Sequence, residues 1–140
     1  MTEEEKRALV EYRLERANES IKAAHLLFEN KLFIPAMNRI YYSMFYSVQA
    51  LLVLDERAFS KHGQVKGYFN KAYIKSGIFP KESGKLFNAV FEYRQKFDYV
   101  DLLIPEEELI SDYLIKAQGF IDQISSFLDD KLTATKEDEN

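Results

Sequence analysis

Ile40-Tyr41-Tyr42-Ser43-Met44-Phe45-Tyr46-Ser47-Val48 is apolar or aromatic on nearly every face of a helix. Such a helix belongs in the middle of a bundle, because only neighbours on all sides can cover it. Ser43 and Ser47 lie four apart and let another helix approach closely. Pro35 suits the first turn of this helix, which should run from Ala36 to about Glu56.

Outward from it, the flanking segments repeat at helical spacing. On one side Val10, Leu14, Ala17, Ile21, Ala24 and Phe28 form a single stripe, on a helix from about Thr2 to Asn30. Thr2 and Glu5 fit a capping box at its start. On the other side a shorter helix is expected from Lys61 to Lys75, with Val65, Phe69 and Ala72 inward and Ser76-Gly77 as its stop. A fourth should span Lys81 to Phe97 with the stripe Leu86, Val90, Tyr93, Phe97, and with Arg94 beside that stripe on the line Phe87, Phe91, Arg94, Asp98. Residues 99–104 read as a loop. A last helix opens on Pro105 and three glutamates, which suit the helix dipole. Its stripe is Ile110, Leu114, Ala117, Ile121, Ile124 and Leu128. The expectation is an all-α, up-and-down bundle of about five helices over 1–132, followed by a disordered acidic tail at 133–140.

Composition agrees and excludes much else. The 140 residues are 46% hydrophobic and 30% charged, a balance suited to one globular domain. Five Gly and three Pro are few for a sandwich or barrel. With no Cys, thiol catalysis, disulfides and thiolate metal sites are excluded. Two histidines, His25 and His62, and no Glu-x-x-His pair make a protein-only metal site improbable, and no glycine-rich phosphate loop is present. No metal or cofactor is expected. The acidic start lacks the basic and apolar regions of a signal peptide, and no apolar run approaches a membrane span, so a cytoplasmic protein is expected.

The net charge of −4 conceals a segregation. Residues 57–96 hold nine Lys/Arg against Glu82 and Glu92, whereas 97–132 hold two against nine acids. The basic segment also carries Phe59, Tyr68, Phe69, Tyr73, Phe79, Phe87, Phe91 and Tyr93. Cations interleaved with rings can hold single-stranded nucleic acid by phosphate contact and stacking. The alternative, favoured by charge alone, is that the rings are core and the lysines are solvated.

Three motifs resemble the HEPN-domain family. Asn38-Arg39-Ile40-Tyr41-Tyr42-Ser43-Met44-Phe45-Tyr46 resembles its second-helix signature. Ser60-Lys61-His62-Gly63 resembles the Lys-x-His-Ser-Gly stretch of a small-protein branch, and Arg94-Gln95-Lys96-Phe97-Asp98-Tyr99 resembles that branch's Arg-Gln-x-x-Asp-Tyr element. The resemblance covers nearly the whole chain. It implies a homodimeric helical bundle. Active family members are metal-independent endoribonucleases, many of them toxins, whose signature is an Arg followed four to six residues later by His, with both protomers lining one cleft. Several are encoded beside a minimal nucleotidyltransferase that acts as antitoxin.

Arg94 matches the arginine of that signature, but the histidine register holds Tyr99, and the register of a modifiable tyrosine holds Asp101. A fixed guanidinium could stabilise the phosphorane of RNA cleavage; its structural alternative is an ion pair with Asp98. An ordinary tyrosine, with pKa ~10, is protonated at pH 7 and a poor base. Tyr99 is therefore better suited to hydrogen bonding, stacking or closing the bundle. His62 is the substitute base, expected to be neutral beside Lys61 at a helix start. His25 should be a boundary histidine without chemistry. Arg39, with Asn38, lies in the central helix and needs an acidic partner or a place in the cleft with Arg94. Candidate catalytic residues are Arg94, Tyr99 and His62. Candidate RNA- or nucleotide-binding residues are Arg39, Lys61, Lys66, Arg94, Lys96 and Tyr99. The tyrosines of the central helix read as core and dimer packing, since nine Tyr and eleven Phe exceed what so thin a bundle easily buries. The readings in contention are an RNA- or nucleotide-binding partner of a nucleotidyltransferase, an active endoribonuclease, and a helical protein adaptor.

Overall fold

The computed structural model describes the backbone of residues 1–99 and 104–139, and the side chains of 1–96 and 104–134. Five α-helices follow in order: α1 (Glu3–Glu29), α2 (Phe33–Leu54), α3 (His62–Phe69), α4 (Lys81–Tyr99) and α5 (Glu107–Glu139). A π-helical turn, Asn70–Ile74, continues α3. Among the described residues there is no strand. The last helix runs beyond the boundary expected at 132, as far as Glu139.

Neighbouring long helices alternate in direction. Arg13 on α1 reaches Gln49 on α2, while Phe28 meets Phe33 at the hairpin. Arg7 of α1 donates to the carbonyl of Leu132 on α5, and α4 meets α5 through Ser83–Gln123 and Tyr93–Tyr113. The order is up, down, up, down, with α3 and its π turn closing one end.

Local chemistry explains the ends. Thr2 and Glu5 form the expected capping box. Both α1 and α2 stop with paired backbone bonds, Leu32 N to Leu27 O and Arg57 N to Leu52 O among them. These place Lys31 and Glu56 at φ 58° and 55°, where a glycine is the usual occupant.

The central helix is as expected, with one qualification. Between Ala36 and Leu52 every residue of α2 is buried except Asn38, Arg39, Tyr42, Tyr46 and Gln49. These step by three or four, so they make one strip. The stripes of α1 and α5 also hold: Ile110, Leu114, Ala117, Ile121, Ile124 and Leu128 are all buried.

Two registers differ from expectation. On the α3 segment the third inward residue is Tyr73, not Ala72. The wider π turn, with Lys75 N bonded to Asn70 O at 2.9 Å, keeps Val65, Phe69 and Tyr73 on one side. On α4 the inward line is Phe87, Val90 and Phe91, while Leu86 and Tyr93 are half-buried. Apolar residues cover so much of this helix that spacing alone could not choose between the two lines.

Candidate functional site

The register of α4 carries Arg94 toward α2. It is the next step of the line Phe87–Phe91, so its side chain leaves the dry part of the core beside the tyrosines of the central helix. The guanidinium carbon lies 5.0 Å from the Tyr41 ring centre and 5.1 Å from that of Tyr42. Nη2 donates to the Tyr42 hydroxyl at 3.0 Å. A planar guanidinium on ring faces is oriented before any ligand arrives.

His62 reaches the same tyrosines from the other side. It is the first residue of α3 and half-buried. Its Nδ1 is 2.9 Å from the Tyr41 hydroxyl, and its ring centre is 4.2 Å from that of Phe45. Its pKa is lowered from the ordinary 6.5, first by burial and then by the positive charge of Arg94. The expected neutral state follows, although from these causes and not from Lys61 or the helix start. Burial pushes the Tyr41 phenol well above its ordinary value, against the opposing pull of Arg94. A phenol that keeps its proton beside a neutral imidazole forms an uncharged pair. With Arg94 on the oxygen side, the arrangement favours the phenol donating to Nδ1, so that Nε2 carries the imidazole proton.

Arg39 completes the group. Its guanidinium carbon stands 4.9 Å over the Tyr42 ring and Nη2 donates to Asn38 Oδ1 at 3.0 Å. No carboxylate among the described residues lies within ion-pair distance of it, which leaves the second of its two expected placements, the cleft with Arg94. Arg39 shares a cleft of about 330 Å³ with Arg94, between the end of α1 and the start of α2. Apart from the two arginines, Asn38 is the one polar residue lining it, beside Leu27, Ile34, Pro35 and Met37.

The remaining candidates divide. Lys66 lies one turn along α3 from His62, with its ammonium 4.5 Å above the Phe91 ring, which in turn meets Tyr41 at 6.0 Å. It belongs to the cluster. Lys61 is exposed just before α3. Lys96 points elsewhere: it sits 5.4 Å over Tyr93, which packs on Tyr113 of α5. Tyr99 ends α4, but its side chain lies outside the described residues, as do Asp98 and Asp101. His25 is exposed on α1.

Of the eight rings in the basic segment, Phe69, Tyr73, Phe79, Phe87 and Phe91 are buried. They are core, and stacking on them is ruled out. Tyr42 and Tyr46 of α2 reach the surface beside arginines, as Tyr93 and Phe127 do beside lysines. Sequence reasoning assigned Tyr42 and Tyr46 to packing. The signal lay in the same Asn38-Arg39-Ile40-Tyr41-Tyr42 run, since a charged residue one turn before a tyrosine can place a cation on its ring.

Comparison with known proteins matches the sequence to a family. The family model described as "HEPN domain" matches residues 10–127. A relative from Thermotoga maritima, named a UPF0332 protein, is 43% identical over 126 residues, covering 90% of this chain and 96% of its own. Two relatives from Methanocaldococcus jannaschii bear the names "Putative toxin MJ0142" and "Putative toxin MJ0605". They are 35% and 34% identical, covering 91% and 89% of this chain and 86% and 90% of their own. The matched span runs through α2, His62 and Arg94, the elements that assemble the cluster, and on these grounds the chain belongs to the HEPN domain family.

Proposed function

We propose that this HEPN domain binds the phosphodiester backbone of RNA, or a nucleotide, in the cleft shared by Arg39 and Arg94. It would do so as the toxin-like half of a module whose other half is a minimal nucleotidyltransferase. The observation that carries the reading is the pair of guanidiniums on the faces of one ring, Tyr42, in a cleft with no carboxylate among its described lining residues. Two cations lining one cleft favour an anion there, and a phosphate can accept two or more charge-assisted bonds. The two relatives named as toxins support the toxin-like setting. A homodimer in the cytoplasm, with Tyr99 near the cleft as a hydrogen-bond donor or stacking ring, is part of this proposal.

Binding is expected to weaken with salt. Two phosphate contacts on a single strand give a slope of about −1.5 in log K against log salt. Arg94→Ala should lower affinity about tenfold or more, the worth of a hydrogen bond to a charged group. Fluorescence anisotropy with labelled single-stranded RNA measures both. Absence of salt-sensitive binding to any RNA or nucleotide would favour the adaptor reading instead.

A second reading, metal-independent cleavage, draws support from one arrangement. His62, with its pKa lowered, sits beside Arg94 across Tyr41. With Nδ1 accepting from Tyr41, the 2′-hydroxyl proton can pass to the Tyr41 oxygen as the Tyr41 proton moves to Nδ1, while a guanidinium stabilises the charge that develops on phosphorus. Cleavage is expected to be weak or absent because the usual histidine register holds Tyr99. Incubation of mixed RNA in EDTA decides the matter. Robust cleavage lost in both Arg94→Ala and His62→Ala would establish the enzyme, with His62 in place of the missing histidine.

A further inference from the structure

Between Ala36 and Leu52 the central helix shows solvent one strip only, and that strip continues well past the Arg39/Arg94 cleft. Its members are Asn38, Arg39, Tyr42, Tyr46 and Gln49. Tyr42 and Tyr46 stand 5.8 Å apart, centre to centre. Across the groove, Arg16 of α1 places its guanidinium carbon 5.4 Å over the Tyr46 ring. Arg39, Tyr42, Tyr46 and Arg16 therefore run cation, ring, ring, cation along the α1–α2 groove. The ladder stops at Arg13, whose Nη1 is already engaged by Gln49 at 2.8 Å.

We infer that this ladder is a second segment of the binding site, holding the nucleotides of a single-stranded RNA that flank the phosphate in the Arg39/Arg94 cleft. The inference rests on the proposed function and extends it from a phosphate to a strand. From Arg39 to Tyr46 is seven residues of helix, about 10 Å at 1.5 Å each. One phosphate cannot touch both ends. A strand can, with its backbone on the guanidinium edges and its bases on tyrosine or guanidinium planes. Tyrosine and arginine also occur in subunit interfaces, but the strip has no aliphatic side chain between Asn38 and Gln49 to supply the apolar core of one. Arg16 also bonds the Tyr46 side chain, and among the described residues its one carboxylate partner is Glu19, at 3.8 Å and with both side chains exposed. That pair is weak and open to exchange for a phosphate.

The test measures binding of oligouridylates of increasing length, from the mononucleotide upward, to wild type, Arg16→Ala and Tyr46→Leu. Circular dichroism and sedimentation are recorded for each protein. In wild type, affinity should rise roughly tenfold when the strand is long enough to place a base at Tyr46. Tyr46→Leu should remove that gain and leave mononucleotide binding unchanged. Arg16→Ala should make the salt slope for long strands shallower by about 1, again without touching the mononucleotide. A mononucleotide that binds, with no gain on lengthening, overturns the ladder and leaves the cleft reading standing. Failure of every ligand to bind overturns both. Equal length dependence in wild type and both variants, or a dimer that becomes monomeric in either variant, also overturns the ladder, the latter by making the strip a subunit contact.

Discussion

Two aromatic clusters meet across α4, and they differ in what caps the rings. In one, Phe69 lies 5.4 Å from Phe87 and 5.6 Å from Phe120, while Phe79 and Tyr73 pack on Phe127 at 5.3 and 5.7 Å. Its hydroxyls are consumed internally: Tyr68 and Tyr73 both donate to Asp55 Oδ2, at 2.8 and 2.6 Å. In the other, Tyr41, Tyr42 and Phe45 have Arg94, Arg39 and His62 against them. The first cluster clamps the end of α2 to the π turn and packs α3 and α4 on α5. The second leaves fixed donors facing a cleft. Ring count and local hydrophobicity do not separate them. Their partners do: a shared carboxylate and one lysine, Lys131 over Phe127, in the first, two arginines and an imidazole in the second.

The sharpest way to break the comparison is Phe69→Ala. It empties the middle of the dry cluster and should cost about 3–5 kcal/mol in urea denaturation. The RNA affinity of the protein that remains folded should be unchanged. A loss of affinity there would mean that the clusters are one unit.

Next comes Gly84→Ala. A β-carbon at Gly84 would lie 2.9 Å from Asn70 Oδ1 and 3.0 Å from Ile74 Cγ1. Asn70 is held by its own bonds to Lys66 O and Asn88 Oδ1, so the π turn has little room to give. A loss of about 1–3 kcal/mol is expected by thermal denaturation. Tyr73→Phe is milder. It removes one of two donors to Asp55 and should cost about 1 kcal/mol, without effect on nucleotide binding.

The cation-capped cluster is sharpened by following His62. In Arg94→Ala its titration, read by NMR, should move up toward 6.5 yet stay below it, because burial, the larger cause of the lowering, persists. The smallest effect is on stability. Above pH about 6.5 the imidazole is neutral in folded and unfolded chains alike. As pH falls below that value the unfolded chain takes up the proton first, so folding weakens, and the loss levels off once the folded histidine also titrates. Wild type should therefore lose ground to His62→Gln in denaturant midpoint on acidification from pH about 7.5 to about 5.5. An advantage that grows instead would mean that the folded site favours the charged imidazole.

Much of the architecture was legible because α1 and α5 each bury one narrow stripe, which helical spacing reports directly. The stripe of α4 was not, because Leu86, Phe87, Ala89, Val90, Phe91 and Tyr93 surround most of the helix and only tertiary contacts select among them. That one-position difference carries the arginine inward. Arg94 and His62 were recognisable as types, but Tyr41 and Tyr42, the residues that join them, were hidden inside an apolar run whose burial was correctly expected. Lys96 was misplaced for the opposite reason. It is two positions from Arg94 in sequence, which on a helix means nearly opposite sides.

The π turn bears on all of this as a matter of chain length. In a regular helix, eight residues overshoot two full turns by about 80°, so Val65 and Tyr73 would stand at opposite edges of one face. The wide turn absorbs that excess, and it lies between the anchored Tyr73 and His62. Removing one residue from 70–74 would leave every side chain of the cluster chemically intact, yet would swing His62 by about 100°, one residue's worth of rotation. A single-codon deletion there is thus a way to separate the imidazole from Tyr41 without altering either.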